Sequence, residues 1–288
     1  MHDFEYEAPD TLEKALKVLS QNNGSAKLLA GGTDIIDQIR NGRHAPDLLI
    51  DLKKIPELNE LKCDSNGLHI GAAVPCYQIY GHDDILTHYT ALADSCKIIG
   101  GIQVQSRASV GGNLCNSGPA ADSIPSLIAL NAICHIAGKN GTREVAVENF
   151  CTAPSENVLE PDELLVALAL PAWQPHSGSH YRRFIPRNEM DIAVVGVGAS
   201  VLLDDANETI LSARIALGAV AATPLFAEEA SNLLAGQPVT DDIITQAAEA
   251  CRAIATPIDD HRGTAEFRLH LVGVLVERVL KQAIEQAK

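Results

Sequence analysis

Positive charge is scarce in this sequence. Its 288 residues carry 22 Lys and Arg against 37 Asp and Glu, a formal net charge of −15. A surface of that sign repels nucleic acid and anionic membranes unless a basic patch is segregated, and the sequence shows no such patch. Neither is expected as a partner. No run reaches 18 apolar residues, and the N-terminal MHDFEYEAPD is acidic with no apolar core segment. Neither membrane insertion nor a secretory signal is therefore expected, and the cytoplasm is the expected compartment. Cysteine is thinly spread. The 7 residues, Cys63, Cys76, Cys96, Cys115, Cys134, Cys151 and Cys251, are odd in number and include no C-x-x-C. Reduced, core-filling thiols are expected, and no single segment could wrap a zinc ion or an iron–sulfur cluster. His176 and His180 fall in PAWQPHSGSH, whose Pro, Gly and Ser suggest an exposed connector rather than a metal-binding helix. There is no internal repeat and no low-complexity tract.

What is present supports a packed protein of one large or two ordinary domains, with 46% hydrophobic residues. From Asp10 to Asn22, Leu12, Ala15, Leu16 and Leu19 recur at helical spacing, with Asp10 as the expected N-cap and Glu13 in the capping-box position. Next come a short apolar run, Lys27 to Ala30, a glycine turn, a helical IIDQIRNG and a second apolar run, Leu48 to Leu52. That order reads as strand, turn, helix, strand. From Gly67 to about Pro171, short apolar runs separated by turns suggest a second α+β unit with one helix near Thr90 to Ile99. AWQPHSGSH marks a boundary near residue 175. Beyond it, HYRRFIPR, AVVGVGASVLL and ILSARIALGAV read as a three-stranded meander. Three segments with apolar stripes then read as helices, the last from Ala265 to about Gln286.

Two glycine pairs carry the chemistry. LAGGTD (Leu29 to Asp34) and SVGGN (Ser109 to Asn113) each set Gly-Gly between a small or apolar residue and a polar side chain. Bare backbone can approach a ligand where a Cβ would block it, and successive N–H groups in such a turn form an anion-binding concavity. Two of them suit a diphosphate, and the first also opens a helix whose positive end would assist. The plainer reading of either pair alone is a tight turn or close packing of elements. Neither fits G-x-x-x-x-G-K-[ST] or G-x-G-x-x-G, which disfavours a P-loop or Rossmann enzyme. Asp122, ten residues past Gly112, either accepts from a ligand hydroxyl or caps the helix SIPSLIALNA.

Taken together, KLLAGGTDIIDQIR, LLIDLKKIPELNEL, LHIGAA, IGGIQVQSRASVGGNLCNSGPAADSIPSLIAL and HYRRFIPRNEMDIAVVGVGASV resemble the FAD-binding medium subunit of the xanthine dehydrogenase family of molybdenum hydroxylases. The carbon monoxide dehydrogenase medium subunit is a close analogue. LGAVAATPLFAEEA and TPIDDHRGTAEFR extend the resemblance along nearly the whole chain. It implies an α+β fold: a vanillyl-alcohol-oxidase (PCMH)-type FAD-binding domain over residues 1–175, with subdomains about 1–58 and 59–175. A small C-terminal domain over 176–288 would follow, a three-stranded antiparallel sheet with three helices. The same resemblance implies that Ala30, Gly31, Gly32, Thr33 and Asp34, led into by Leu28 and Leu29, hold the FAD diphosphate together with Ser109, Val110, Gly111, Gly112 and Asn113. Asp122 matches the aspartate that holds a cofactor hydroxyl. Ile50 and Leu52 fall on the adenine wall, and Leu165 or Val166 on a strand lining the flavin. Arg183 stands where relatives often carry lysine near the cofactor. Ile99 replaces an aromatic that stacks on the flavin in the animal enzymes, so stacking is not expected here.

The implied function is electron transfer. Substrate would be oxidised at a molybdopterin centre on a large subunit, and electrons would pass through two [2Fe–2S] clusters of a small subunit to this FAD and on to an external acceptor. A dimer of heterotrimers is the implied assembly. No general acid or base from this chain is needed, because the cofactor carries the chemistry. Two other readings stand beside it: a self-contained FAD-dependent oxidase or reductase of the same fold, and a scaffold that has lost its flavin.

Overall fold

The computed structural model describes residues 3–22 and 24–288; Met1, His2 and Asn23 lie outside the described residues. Three sheets follow one another along the chain. In the first, β1 (Glu5–Glu7), β2 (Ala26–Leu29) and β3 (Leu48–Asp51) run parallel in the order β1-β3-β2. Parallel neighbours need crossovers, and α1 (Leu12–Gln21) and α2 (Ile35–Arg40) provide them. Ala15 and Leu19 of α1 meet Ala26, Leu48 and Ile50 of the sheet in one small core. The cap of α1 is Thr11 rather than the expected Asp10. Thr11 is extended and its hydroxyl accepts from the Lys14 N–H, whereas the Asp10 carboxylate pairs with the Lys14 ammonium at 2.6 Å.

The second unit opens with β4 (Leu61–Asp64) and β5 (Gly67–Gly71). Six helices then follow: α3 (Cys76–Ile79), α4 (Asp83–His88), α5 (Thr90–Ile98), α6 (Ile102–Gln105), α7 (Val110–Cys115) and α8 (Ser123–Ala129). Only α5 is readable as such from periodicity, because the others run four to seven residues and are too short to show a repeating apolar face. The strands β6 (Ile133–Gly138), β7 (Gly141–Ala146), β8 (Cys151–Ala153), β9 (Glu156–Asn157) and β10 (Leu164–Leu170) complete the unit. Its five-stranded antiparallel sheet has the order β4-β5-β10-β6-β7, and β8 pairs with β9 in a separate ribbon.

The third sheet contains the expected meander of β11 (Ser177–Phe184), β12 (Val195–Leu203) and β13 (Thr209–Gly218). Two short strands, β14 (Leu225–Phe226) and, beyond α9 (Glu228–Leu234), β15 (Gln237–Pro238), pair with β13 and bring the sheet to five. The remaining elements are α10 (Asp241–Ile254) and α11 (Ala265–Ala287). The expected connector is shorter than its composition suggests, since β11 already begins at Ser177. His176 and His180 accordingly diverge: His176 Nδ1 lies 2.9 Å from Asn207 Oδ1, and His180 Nδ1 lies 2.7 Å from Asp94 Oδ2. No helix among the described residues is long and apolar enough to cross a membrane.

The third sheet is covered on both faces, and glycines set how closely. On one face, α9, α10 and α11 share a core with Val197, Ala199 and Val201. A Cβ at Gly178 would stand 2.1 Å from the Ala283 carbonyl oxygen of α11. On the other face lies α8, and a Cβ at Gly198 would stand 2.7 Å from the Pro125 carbonyl oxygen. The Ser200 hydroxyl and the Arg214 guanidinium reach across to the carbonyls of Ala129 and Ile128 at the end of α8.

Gly178→Ala is expected to cost roughly 3 kcal/mol or more in urea unfolding, because backbone rather than a movable side chain meets the new methyl. Gly236→Ala, with nothing within 4 Å but a φ of +75°, should cost only about 1 kcal/mol. Equal losses would mean that the sheet and α11 can separate freely.

Candidate functional site

The first glycine turn lies at the end of β2. Leu28 and Leu29 pair with Ile50 and Asp51 of β3, and the chain then turns through Ala30, Gly31, Gly32, Thr33 and Asp34 into α2. Gly32 adopts φ +81°, the left-handed region that favours glycine. Gly31 has a different reason to be bare: a Cβ there would lie 2.0 Å from the Arg107 carbonyl oxygen. Among the described residues, the N–H groups of Gly31, Gly32, Thr33 and Asp34 have no hydrogen-bond acceptor.

The second pair is not a loop, as its glycines suggest, but the first turn of α7. Ser109 caps it, its hydroxyl accepting from the Gly112 N–H at 3.0 Å. Gly111 packs against Ala72, whose carbonyl oxygen would lie 2.5 Å from a Cβ at 111. The Gly111 N–H has no acceptor among the described residues. On the far side, a Cβ at Gly112 would come within 4.0 Å of the Ala30 Cβ, so the two motifs face each other across ordinary van der Waals distance. Gln38 of α2 also donates to Asn116 beyond α7 at 2.9 Å, tying the two segments together a second time.

A row of polar contacts continues from α7. Asn113 Oδ1 accepts from the Ser123 hydroxyl at 2.6 Å, beside Asp122. Asp122 occupies the N-cap position of α8 but makes no capping bond. Its carboxylate instead accepts from the Tyr181 hydroxyl at 2.8 Å and from Arg183 at 2.5 Å. Tyr181 and Arg183 alternate on β11 and so share a face. Gly196, across the ladder on β12, leaves room for the Tyr181 ring, since a Cβ there would lie 2.6 Å from the phenol oxygen. Arg183 also donates to the Ile98 carbonyl at 2.8 Å, next to half-buried Ile99, and its side chain is 4% exposed. Arg183 is thus a buried junction residue, not a solvent-facing strand arginine.

Burial pushes the Asp122 carboxyl up to about 6, against the opposing pull of Arg183 and Tyr181. The Tyr181 hydroxyl is raised well above its ordinary value by burial and by Asp122, which keeps it a donor.

The residues singled out by sequence therefore divide in two. Leu28, Ala30 to Thr33, Ile99, Gly112, Asn113 and Val166 are half-buried, and Asp34 is exposed. Ile50 (0% exposed), Val110 (0%) and Leu165 (3%) are closed into the cores. Ile50 lies in the core of the first sheet and Leu165 in that of the second. On β10 it is Val166, facing the first sheet's core, that keeps open surface. Sequence reasoning missed Lys53, whose ammonium reaches the Ala30 carbonyl at 3.1 Å, and Tyr181. Their only signals were a cation two residues past a strand and a tyrosine two residues before Arg183.

Comparison with known proteins gives the family. The model described as the FAD binding domain in molybdopterin dehydrogenase matches residues 2–173, and that of the CO dehydrogenase flavoprotein C-terminal domain matches residues 179–283. The putative xanthine dehydrogenase FAD-binding subunit of Escherichia coli is 32% identical, over 100% of this chain and 98% of that protein. The nicotinate dehydrogenase FAD-subunit of Eubacterium barkeri is also 32% identical, over 83% and 82%. A chain in the structure of carbon monoxide dehydrogenase from Hydrogenophaga pseudoflava superposes with a TM-score of 0.94 at 31% identity, covering 98% of each chain. This chain belongs to the family of FAD-binding medium subunits of the molybdopterin dehydrogenases, which includes the xanthine and carbon monoxide dehydrogenases.

Proposed function

We propose that this chain is the electron-transfer subunit of a three-polypeptide molybdenum hydroxylase. It takes electrons from the [2Fe–2S] clusters of a small partner subunit and passes them to an external acceptor. A large molybdopterin subunit selects and oxidises the substrate, and the assembly is a cytoplasmic dimer of heterotrimers. Residues 1–175 form the FAD-binding domain and 176–288 the domain that closes on it. The observation that carries this reading is the facing of two glycine-built segments in which the N–H groups of Gly31 to Asp34 and of Gly111 lack acceptors, in a chain that matches the family along nearly its whole length.

The residues present fit the diphosphate of FAD. The donors from Gly31 to Asp34 and from Gly111 would hold its oxygens, with Gly32 and Gly112 leaving room for them. Asn113, whose carbonyl oxygen is occupied by Ser123, would turn its amide NH2 toward the cofactor. Ile99 and Val166 would offer apolar surface. Bound FAD supplies two-electron redox chemistry at its isoalloxazine ring. The chain's task is to bind, orient and exclude water. Arg183, its charge matched by Asp122, fixes the seam between the domains. Tyr181 and Arg183 together hold the Asp122 carboxylate in one orientation, from which an oxygen can still accept a cofactor hydroxyl.

Gentle affinity purification from the native host, with flavin extraction and metal analysis, tests the assignment. FAD, Mo, Fe and two accompanying chains are expected. FAD with turnover but no metal or partner would identify a self-contained flavoenzyme instead, and absence of flavin would remove the cofactor reading. Gly112→Val, which fills the space between the two motifs, should weaken FAD binding by about tenfold or more while leaving the far-ultraviolet circular dichroism unchanged. An unchanged dissociation constant would place the diphosphate elsewhere.

Asp122 generates a pH prediction. Its carboxyl titrates near 6 in the folded chain against 3.8 in an unperturbed one, so over that interval the folded state holds a proton that the unfolded state has released. The stability it contributes is complete below pH 3.8 and is lost as pH rises through 6, on the order of 3 kcal/mol in all. In Asp122→Asn the unfolding free energy of the flavin-free chain should therefore decline less between pH 4 and 7 than in the parent. Parallel curves would show that Asp122 stays ionised throughout.

A further inference from the structure

The glycine motifs contain no lysine, but the fold brings one to them from the next loop. Lys53 lies two residues beyond β3, and its side chain turns back against the first motif. Its ammonium donates to the Ala30 carbonyl at 3.1 Å and to Asp51 Oδ1 at 2.7 Å. Asp51, the last residue of β3, is 6% exposed. A carboxylate so enclosed is costly unless paired, and this one is well supplied. Besides the ammonium, it accepts from the Lys53 N–H at 2.9 Å and from the Tyr6 hydroxyl at 2.5 Å. All three strands of the first sheet thus meet here: Tyr6 from β1, Asp51 from β3 and Ala30 from the end of β2.

The consequence follows from peptide geometry. In a trans peptide the carbonyl and the following N–H point in opposite directions. A carbonyl of Ala30 held toward Lys53 sends the Gly31 N–H the other way, and that N–H has no acceptor among the described residues. Without the ammonium, nothing else among the described residues holds the Ala30 carbonyl, and the Ala30–Gly31 peptide can flip because glycine accepts either rotation. A flip would turn a carbonyl oxygen toward the anion in place of a donor.

We infer that Lys53 is a positioning residue for the cofactor diphosphate: braced by Asp51 and Tyr6, it locks the Ala30–Gly31 peptide so that the Gly31 N–H is preorganised to donate to a phosphate oxygen. The inference rests on the FAD reading above. The ammonium acts through the backbone, which explains why a motif without lysine of its own can hold a dianionic group in a chain of net charge −15.

The test uses the full chain stripped of flavin, as parent, Lys53→Met, Lys53→Arg and Tyr6→Phe. FAD affinity is measured by fluorescence titration, the bound diphosphate by phosphorus NMR at saturating FAD, and folding by thermal melting without FAD. Lys53→Met should weaken FAD about tenfold or more, the scale of one charge-assisted hydrogen bond. It should also shift the phosphorus resonances of bound FAD while leaving the visible flavin spectrum in place. Lys53→Arg, which can reach both acceptors, should stay within about threefold of the parent. If Lys53→Met fails to fold, Tyr6→Phe decides, because Tyr6 is 55% exposed and its loss only loosens Asp51. It should shift the same resonances with a smaller loss of affinity. Parent-like affinity and phosphorus spectra in whichever variant folds would overturn the inference while leaving the FAD reading intact. A parent chain that binds no FAD at all would instead remove the reading beneath it.

Discussion

Everything at this site depends on two places where backbone lies directly on backbone. Gly31 lies against the Arg107 carbonyl and Gly111 against Ala72, each closer than any side chain allows. The first contact brings the parallel sheet of the first unit onto the helical segment of the second, and the second seats α7 beside the end of β5. They also give the two glycines of each pair different duties. The first member permits the packing, and the second stays on the open side: Gly32 in a left-handed turn, Gly112 opposite Ala30. A Gly-Gly pair is needed because closeness is required in two directions at once.

The electrostatics follow the same division. The chain is strongly acidic, and two of the cations near the site are paired internally: Lys53 with Asp51 and Arg183 with Asp122. Neither pair adds net charge. Oriented N–H dipoles act at short range and, being partly enclosed, are screened less by salt than exposed lysines would be. The ion pairs orient other groups: one fixes a peptide plane, the other a carboxylate.

Much of this was legible in the sequence, and the exceptions have physical causes. Helix α1, the long helices α10 and α11 and the β11 to β13 meander show themselves through periodicity, because each buries one face over several turns or alternations. The short helices α3, α4, α6 and α7 do not, being held by tertiary contacts rather than by a repeating stripe, whereas α8 is legible as the apolar segment behind Asp122. The SVGGN segment reads as a loop because two glycines disfavour helix, but the Ser109 cap and the packing of Gly111 on Ala72 outweigh that preference. The glycine motifs, Asp122 and Arg183 were visible as residues, while the bond between the last two was not, since 61 positions separate them. Nor could sequence reveal that Ile50 and Leu165 face inward, because an apolar residue on a strand reads alike as core or as ligand wall. Lys53 was hidden for a related reason: its importance lies in which carbonyl it reaches.

The pairing of Asp122 with β11 also changes how the C-terminal domain should be understood. The sequence suggests a separate domain of sheet and helices behind an exposed connector. Instead, Tyr181 and Arg183 project from its sheet into the cofactor domain, and Arg183 also holds the end of α5 through the Ile98 carbonyl. The sheet can come close enough only because β12 is bare at Gly196, under the Tyr181 ring, and at Gly198, against Pro125. If the sheet moved away, a carboxylate and a guanidinium that are almost fully enclosed would each lose their partner, a cost far above that of separating two polar surfaces. The second domain is therefore tied to the first through two side chains that converge on Asp122.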